Sequence, residues 1–178
     1  DSAIYNNMAL IYKNDLNDYE KTLEYFNKAI ELSQDEASYY SNRAFLYYYN
    51  LGDKEKALAD FNKAIELEPE NTEYYFERAY YFYEEENEWE LAINDYLKAK
   101  ELNPDLEGVL FRLAYNYEEL GQFENSLSFY LQEMDKYGED SAIYNNMALI
   151  YKNDLNDYEK TLEYFNKAIE LSQDEASY

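Results

Sequence analysis

The sequence predicts an all-α chain, a solenoid of antiparallel helix hairpins stacked one on the next. Three observations carry that prediction. Apolar residues recur at the spacing of one helix face. The pattern of aromatic and small residues repeats every 34 or 35 residues. Turn residues fall at fixed places inside each repeat. A period of that length marks a repeat architecture, in which one unit cannot bury its own apolar face and neighbours share a core.

The period is read from a few positions. Tyr5, Ala9, Tyr12, Phe26 and Ala29 define the first copy. Tyr40, Ala44, Tyr47, Phe61 and Ala64 follow, then Tyr75, Ala79, Phe82, Tyr96 and Ala99. Leu110, Ala114, Tyr117 and Tyr130 mark a fourth copy, one residue shorter in its turn, and Tyr144, Ala148, Tyr151, Phe165 and Ala168 a fifth. The hairpins are therefore expected over 1–35, 36–70, 71–105, 106–139 and 140–174, as one solenoid, with 175–178 opening a sixth. A second repetition is verbatim: residues 1–39 recur unchanged as 140–178. That suggests a recent duplication or an engineered array.

Each copy reads as two helices. Tyr5, Met8, Ala9 and Tyr12 fall at i, i+3, i+4 and i+7, one apolar stripe. Tyr19, Thr22, Leu23, Phe26, Ala29 and Ile30 form the stripe of the second helix. Asn17-Asp18, Gly52-Asp53, Asn87-Glu88 and Gly121-Gln122 are the turns between them, and Asp53 is placed to cap the following helix. Pro69 and Pro104 close second helices, since proline cannot continue one. No segment alternates with the period of a strand. Ala9, Ala44, Ala79 and Ala114 are expected to face Thr22, Ala57, Ala92 and Ser126, small against small, so that paired helices approach closely.

Tyr40-Ser-Asn-Arg-Ala44, Tyr47, Gly52 and the run from Ala57 to Pro69 resemble one copy of the tetratricopeptide repeat family, and the resemblance extends over the whole chain. It implies a right-handed superhelix of helix pairs that binds peptides or protein helices in a concave groove lined by the first helices. The chain departs from the family in places. Most copies carry an extra residue in the turn within the hairpin. Glu133 stands where the other copies have alanine, which should loosen the end of the fourth hairpin. The closing proline is replaced by Gln34, Gly138 and Gln173. Some members clamp a terminal carboxylate with Lys and Asn. The matching places here hold Asn6, Leu10, Asn42, Glu73 and Glu77, so the cations are missing and no such clamp is expected.

Composition narrows the function. The chain has no Cys and no His, which removes thiol nucleophiles, disulfides, imidazole bases and the usual zinc ligands. With 39 acidic against 15 basic residues, the net charge of -24 opposes nucleic acid and anionic membranes; it reads first as solubility and second as attraction for basic partners. No apolar run approaches the ~18 residues of a membrane helix. The start, Asp1-Ser2-Ala3, carries neither Met nor a signal-peptide pattern, so a fragment or processed chain is expected. Runs such as Glu84-Glu85-Glu86 read as solvated helix ends rather than catalytic pairs, and Asn14 to Asp18 lacks the glycine and distal glutamate of a calcium loop. No enzyme, metal or cofactor is expected, and the compartment stays open.

Binding residues are sought on a second stripe, about 100° round the first helices. It offers Phe45 and Tyr48, then Phe76, Tyr80 and Tyr83, then Phe111 and Tyr115. A solvated face should be polar, so aromatics there mark a candidate peptide-binding groove, or else rings packed between adjacent first helices. Glu73, Glu77, Glu84, Glu118 and Glu119 flank it. The leading reading is a scaffold for a basic or aromatic-rich peptide or a partner helix. The rival is a structural solenoid that stacks end to end, with Leu162, Phe165 and Ile169 at the open end receiving the first helix of another chain.

Comparing copies adds two ion pairs. Where the first helix carries Arg43 or Arg78, the second carries Asp60 or Asp95, 17 residues on. Where it carries Met8, Leu113 or Met147, the second carries Tyr25, Phe129 or Tyr164. Arg43–Asp60 and Arg78–Asp95 are expected to bridge the helices of their hairpins.

Overall fold

The computed structural model describes the backbone of residues 1–85 and 87–175 and the side chains of residues 1–81 and 87–173. All its regular elements are helices: α1 Ser2–Asn14, α2 Tyr19–Leu32, α3 Ala37–Phe45, α4 Lys54–Leu67, α5 Thr72–Glu85, α6 Trp89–Leu102, α7 Val109–Glu119, α8 Phe123–Tyr137, α9 Ser141–Asn153 and α10 Tyr158–Glu175. A π-helical turn, Leu46–Leu51, continues α3. The helices fall into two compact units, Asp1–Arg78 and Ala79–Tyr178, with the boundary inside α5.

α1, α2, α4, α9 and α10 start where an acidic side chain accepts an orphan amide of the first turn. Asp1 accepts from the Ala3 amide, Asp18 from Lys21 at 3.1 Å and Asp53 from Lys56 at 3.1 Å. Asp140 accepts from Ala142 at 2.7 Å, and Asp157 from Lys160 at 3.1 Å.

The turn within each hairpin needs one left-handed residue. Asn17, Gly52, Asn87, Gly121 and Asn156 supply it, with φ between 53° and 69°. Only glycine, and to a lesser degree asparagine, adopts that backbone without much strain. The extra residue of the longer turns is absorbed as a π-type widening at the end of the first helix. Leu16 N–H donates to the Ile11 carbonyl at 3.3 Å and Leu155 to Ile150 at 3.2 Å, both spanning five residues. In the shorter fourth hairpin the closing bond runs from Gln122 to the Tyr117 carbonyl at 2.8 Å, one residue tighter than Asp18 to Tyr12 at 2.9 Å.

In the first unit α1 packs on α2 and α3 on α4, around the buried rings of Phe26 and Phe61. In the second, α7 packs on α8 and α9 on α10, and Tyr96 and Tyr130 are fully buried. Covering a ring of that size stabilises by roughly 2 kcal/mol. The small residues Ala9, Thr22, Ala44, Ala57, Ala79, Ala92, Ala114 and Ser126 are all fully buried.

The deepest stripe of the first helices differs from the one read at Tyr5 and Tyr12, which are only half-buried. Tyr40, Tyr47, Leu110 and Tyr144 of the expected stripe are buried in later copies, and beside them Tyr39 and Leu46, Tyr74, Tyr81, Val109 and Asn116, and Ile143 and Ile150 are buried one position earlier. Tyr39 clusters with Ala29 and Ile30 of the hairpin before, Leu46 with Ala9 and Phe26, and Ile143 and Ile150 with Leu127, Tyr130 and Met134. Their counterparts at the chain start, Ile4 and Ile11, are exposed.

Two segments of identical sequence differ in structure. α2 ends at Leu32, with Ser33 extended and Gln34-Asp35 in a turn that leads into α3. α10 carries the same residues but stays helical through Glu175, and the Ser172 hydroxyl donates to the Ala168 carbonyl at 2.8 Å. Glu133, in turn, does more than occupy an alanine place. Its carboxyl meets the Phe111 amide in the first turn of α7, whose cap residue Gly108 has no side chain to offer, while Oε2 is buried without a hydrogen-bond partner among the described residues. Burial pushes the carboxyl upward in pKa. An acidic group at a helix N-terminus is favourable, which gives the glutamate a local role.

Candidate functional site

The first unit presents α3 and the first half of α5 side by side. The Ser41 hydroxyl donates to Glu77 Oε2 at 2.9 Å across them. One hairpin earlier, Asn42 Nδ2 donates to Asn6 Oδ1 at 3.2 Å, between α3 and α1. The same step of 36 residues thus ties successive first helices twice. The two asparagines that matched a carboxylate clamp are bonded to each other.

Phe45, Tyr48 and Phe76 are half-buried in this unit. The Phe45 ring stacks on Tyr49 at 6.0 Å between centroids and meets Phe61 edge-on at 5.3 Å. Its other neighbour is a cation, Lys13 Nζ, 5.8 Å from the ring centre. Phe45 is therefore anchored in the core and still offers a ring surface. Glu73, one turn before Glu77, is exposed. Burial pushes the Glu77 carboxyl up to about 7, against the pull of the Ser41 hydrogen bond, and Glu73 adds to the rise. Among the described residues no cation is paired with it.

The second unit has its own set. Tyr80, Phe111 and Tyr115 are half-buried. The Arg112 guanidinium lies 4.9 Å from the Tyr80 ring centre, and Phe111 packs edge-on to Tyr130 at 5.7 Å. Glu118 is half-buried and Glu119 exposed. The Tyr130 hydroxyl donates to Glu118 Oε2 at 3.3 Å and accepts from Asn146 Nδ2 at 3.3 Å. Burial raises the Glu118 pKa, the Tyr130 bond opposes the rise, and Glu119 and Asp154 reinforce it. Tyr83 and Glu84 lie outside the residues whose side chains are described.

Arg43 donates through Nε to Asp60 Oδ2 at 2.7 Å and through Nη2 to Oδ1 at 2.8 Å. Its third arm, Nη1, reaches Asn27 Oδ1 on α2 at 2.7 Å. Arg78 makes the equivalent backward bond, Nη1 to Asn62 Oδ1 at 2.6 Å. Asp95 is buried on α6 in the second unit.

Sequence reasoning passed over two features. It counted Glu77 among the flanking acids, although its partner Ser41 is a small polar residue where the third and fourth copies have Phe76 and Phe111, a sign of room for a buried carboxylate. It also passed over the stripe Tyr39/Leu46, Tyr74/Tyr81 and Ile143/Ile150. The signal was available as large apolar residues seven apart in these copies.

Models of the tetratricopeptide repeat match residues 2–36, 37–71, 108–132 and 141–175. No curated protein sequence matches. Among solved structures, the crystal structure of a MamA protein is similar with a TM-score of 0.86 at 18% identity, covering 99% of this chain and 94% of that one. MamA 41-end from Desulfovibrio magneticus RS-1 gives 0.81 at 17%, covering 97% and 96%. A tetratricopeptide repeat protein from Parabacteroides merdae ATCC 43184 gives 0.70 at 21%, covering 94% of this chain and 64% of that one. At such identities the structures speak for the fold alone, whereas the repeat models cover more than half of the sequence. No helix among the described residues is long and apolar enough to cross a membrane. The chain belongs to the tetratricopeptide repeat family, whose repeats mediate protein–protein interactions.

Proposed function

We propose that this chain is a non-catalytic scaffold that holds a basic segment of another protein against the first helices of its first unit. The observation that carries the reading is Glu77. Its carboxylate is partly desolvated, is held by one hydroxyl, and has no cation paired with it among the described residues. A lysine or arginine from a partner would supply that cation. It would meet it beside ring surfaces at Phe45, Tyr48 and Phe76, which favour cations and aliphatic stems. Lys13 over Phe45 is the chain's own example of that contact. The second unit offers a parallel set in Tyr80, Phe111, Tyr115, Glu118 and Glu119. The net charge of -24 would draw a basic partner in and make binding weaken with salt.

The test is titration with Lys- and Arg-rich peptides against acidic ones. Basic peptides should bind. Glu77→Gln should weaken them, and Tyr48→Ala with Phe76→Ala should weaken them further with modest loss of stability. Equal binding of acidic peptides would end the proposal. If the double variant unfolds and binding per folded molecule is unchanged, the stripe is core.

A further inference from the structure

Lys13 differs from the lysines on the second helices of the first unit. Lys21, Lys28, Lys56 and Lys63, on α2 and α4, each pair with a carboxylate three or four residues away. Lys13 stands on α1, on the groove stripe with Asn6 and Leu10, and no carboxylate pairs with it among the described residues. It is half-buried, and its ammonium lies 5.8 Å from the centre of the Phe45 ring. Burial lowers the pKa of the amine, and no anion offsets the fall. In a chain with 39 acidic residues, a half-buried cation left without one is out of pattern.

Glu77 is its counterpart on the other side of α3. Its carboxylate accepts from the buried Ser41 hydroxyl at 2.9 Å, and no cation is paired with it among the described residues. The Asn42–Asn6 bond ties α3 to α1, and the Ser41–Glu77 bond ties α3 to α5, so α3 lies between the two charges. Ser41 and Phe45 are four residues apart and share one face of α3, with about 6 Å between Cβ atoms. Packed helices run about 8–10 Å apart, which sets the ammonium and the carboxylate on the order of 13 Å from each other. They do not neutralise one another, and the Phe45 ring stands between them.

We propose that Lys13 takes a side-chain carboxylate of the partner while Glu77 takes its lysine or arginine, so that the segment held across α3 carries both charges in a fixed order. The proposal rests on the basic-partner reading above and gives it a polarity: the acid lies toward α1 and the base toward α5. An extended chain advances about 3.3 Å per residue, so acid and base should stand about four residues apart. Midway the segment crosses Phe45, whose ring is held by Tyr49 and Phe61 and suits an apolar side chain. The rest of the segment is basic or neutral, as the net charge of -24 requires. Lys13 lies one turn beyond Leu10, outside the places that match a carboxylate clamp.

The probes are capped, dye-labelled nonapeptides built on serine. One carries lysine at positions 1 to 3, leucine at position 5 and aspartate at position 7; a second has the same residues in reverse order. Each has a control with asparagine in place of the aspartate. Fluorescence anisotropy with the 178-residue chain at low salt, up to millimolar, reads the affinity. One of the two orders should bind about tenfold tighter than its control. Lys13→Met keeps the stem over Phe45 and should erase that tenfold while leaving the control unchanged, and Lys13→Arg should keep it. Glu77→Gln should weaken the peptide and its control alike. Circular dichroism checks that all three variants fold. If peptide and control bind alike in both orders, or Lys13→Met weakens the control as much as the peptide, Lys13 only packs on Phe45; the proposal is then overturned and the basic-partner reading stands. If no lysine peptide binds the wild-type chain, the basic-partner reading falls and takes the proposal with it.

Discussion

Arg43 and Asp60 are joined by two parallel hydrogen bonds, Nε to Oδ2 at 2.7 Å and Nη2 to Oδ1 at 2.8 Å, in a place where other hairpins stack rings. In the first hairpin Tyr25 takes the position of Asp60, with its ring 6.1 Å from Tyr5 and 5.3 Å from Tyr12. In the second hairpin the Arg43 guanidinium lies 5.7 Å from the rings of both Tyr40 and Tyr47. A planar cation has replaced a planar ring between the same two tyrosines, and the aspartate balances it. Both side chains are largely buried. Arg43→Met should therefore cost about 3 kcal/mol, because it strands a buried carboxylate. Adding Asp60→Tyr restores the Met8/Tyr25 pattern and should recover most of the loss. Urea unfolding of the two variants checks both statements.

Glu77 makes stability depend on pH. In the folded chain it keeps its proton up to about 7, against an ordinary 4.5. Between those values the folded chain binds more protons than the unfolded one, so stability falls as pH rises, and the loss is complete above the folded value. The loss from this group should be about 2 kcal/mol, allowing for the part of the carboxylate that still meets water. Glu77→Gln should stabilise the chain by that order at about pH 8 and hardly at all at about pH 4. Denaturation curves at the two pH values measure the difference.

Asn116 is fully buried, and its side chain is half satisfied. Nδ2 donates to the Arg112 carbonyl at 2.8 Å, while Oδ1 has no partner among the described residues. The corresponding positions hold Ile11, Leu46, Tyr81 and Ile150. An unpaired buried acceptor costs roughly 1–3 kcal/mol. Asn116→Leu should raise stability by about 1 kcal/mol, as midpoint shifts in urea would show.

Gly52 has a φ of 67°, and a Cβ there would meet nothing within 4 Å. Any penalty on substitution is therefore backbone strain and not crowding. Asn17, Asn87 and Asn156 already hold the equivalent place. Gly52→Asn should change stability by less than about 0.5 kcal/mol, while Gly52→Val should cost about 2 kcal/mol. Thermal unfolding separates them.

The hairpin, its turn and its small-residue core were legible because each depends on residues close in sequence. The turn pairs that hold the left-handed residues could be placed, since glycine and asparagine mark turns. The Arg43–Asp60 pairing was legible because copies differ there in a correlated way. The stripe of Tyr39, Leu46, Tyr74 and Tyr81 was not, because in a chain with 24 tyrosines the rings on adjacent faces look alike. The burial of Glu77 was hidden for a different reason. It depends on the room left by Ser41, 36 residues away, and no local pattern carries that information.

The two endings of one helix bear on how such a chain can be rearranged. Tyr19–Glu36 and Tyr158–Glu175 have the same sequence, yet the first breaks after Leu32 and the second does not. The punctuation that ends the helix is not written in those residues alone; the copy that breaks is the one with α3 packed on it. A block of whole hairpins can then be copied to a new place without a new stop signal at the seam. Its last turn adopts whichever form its new neighbour requires. Thirty-nine residues reused without a single edit are what such a rule permits.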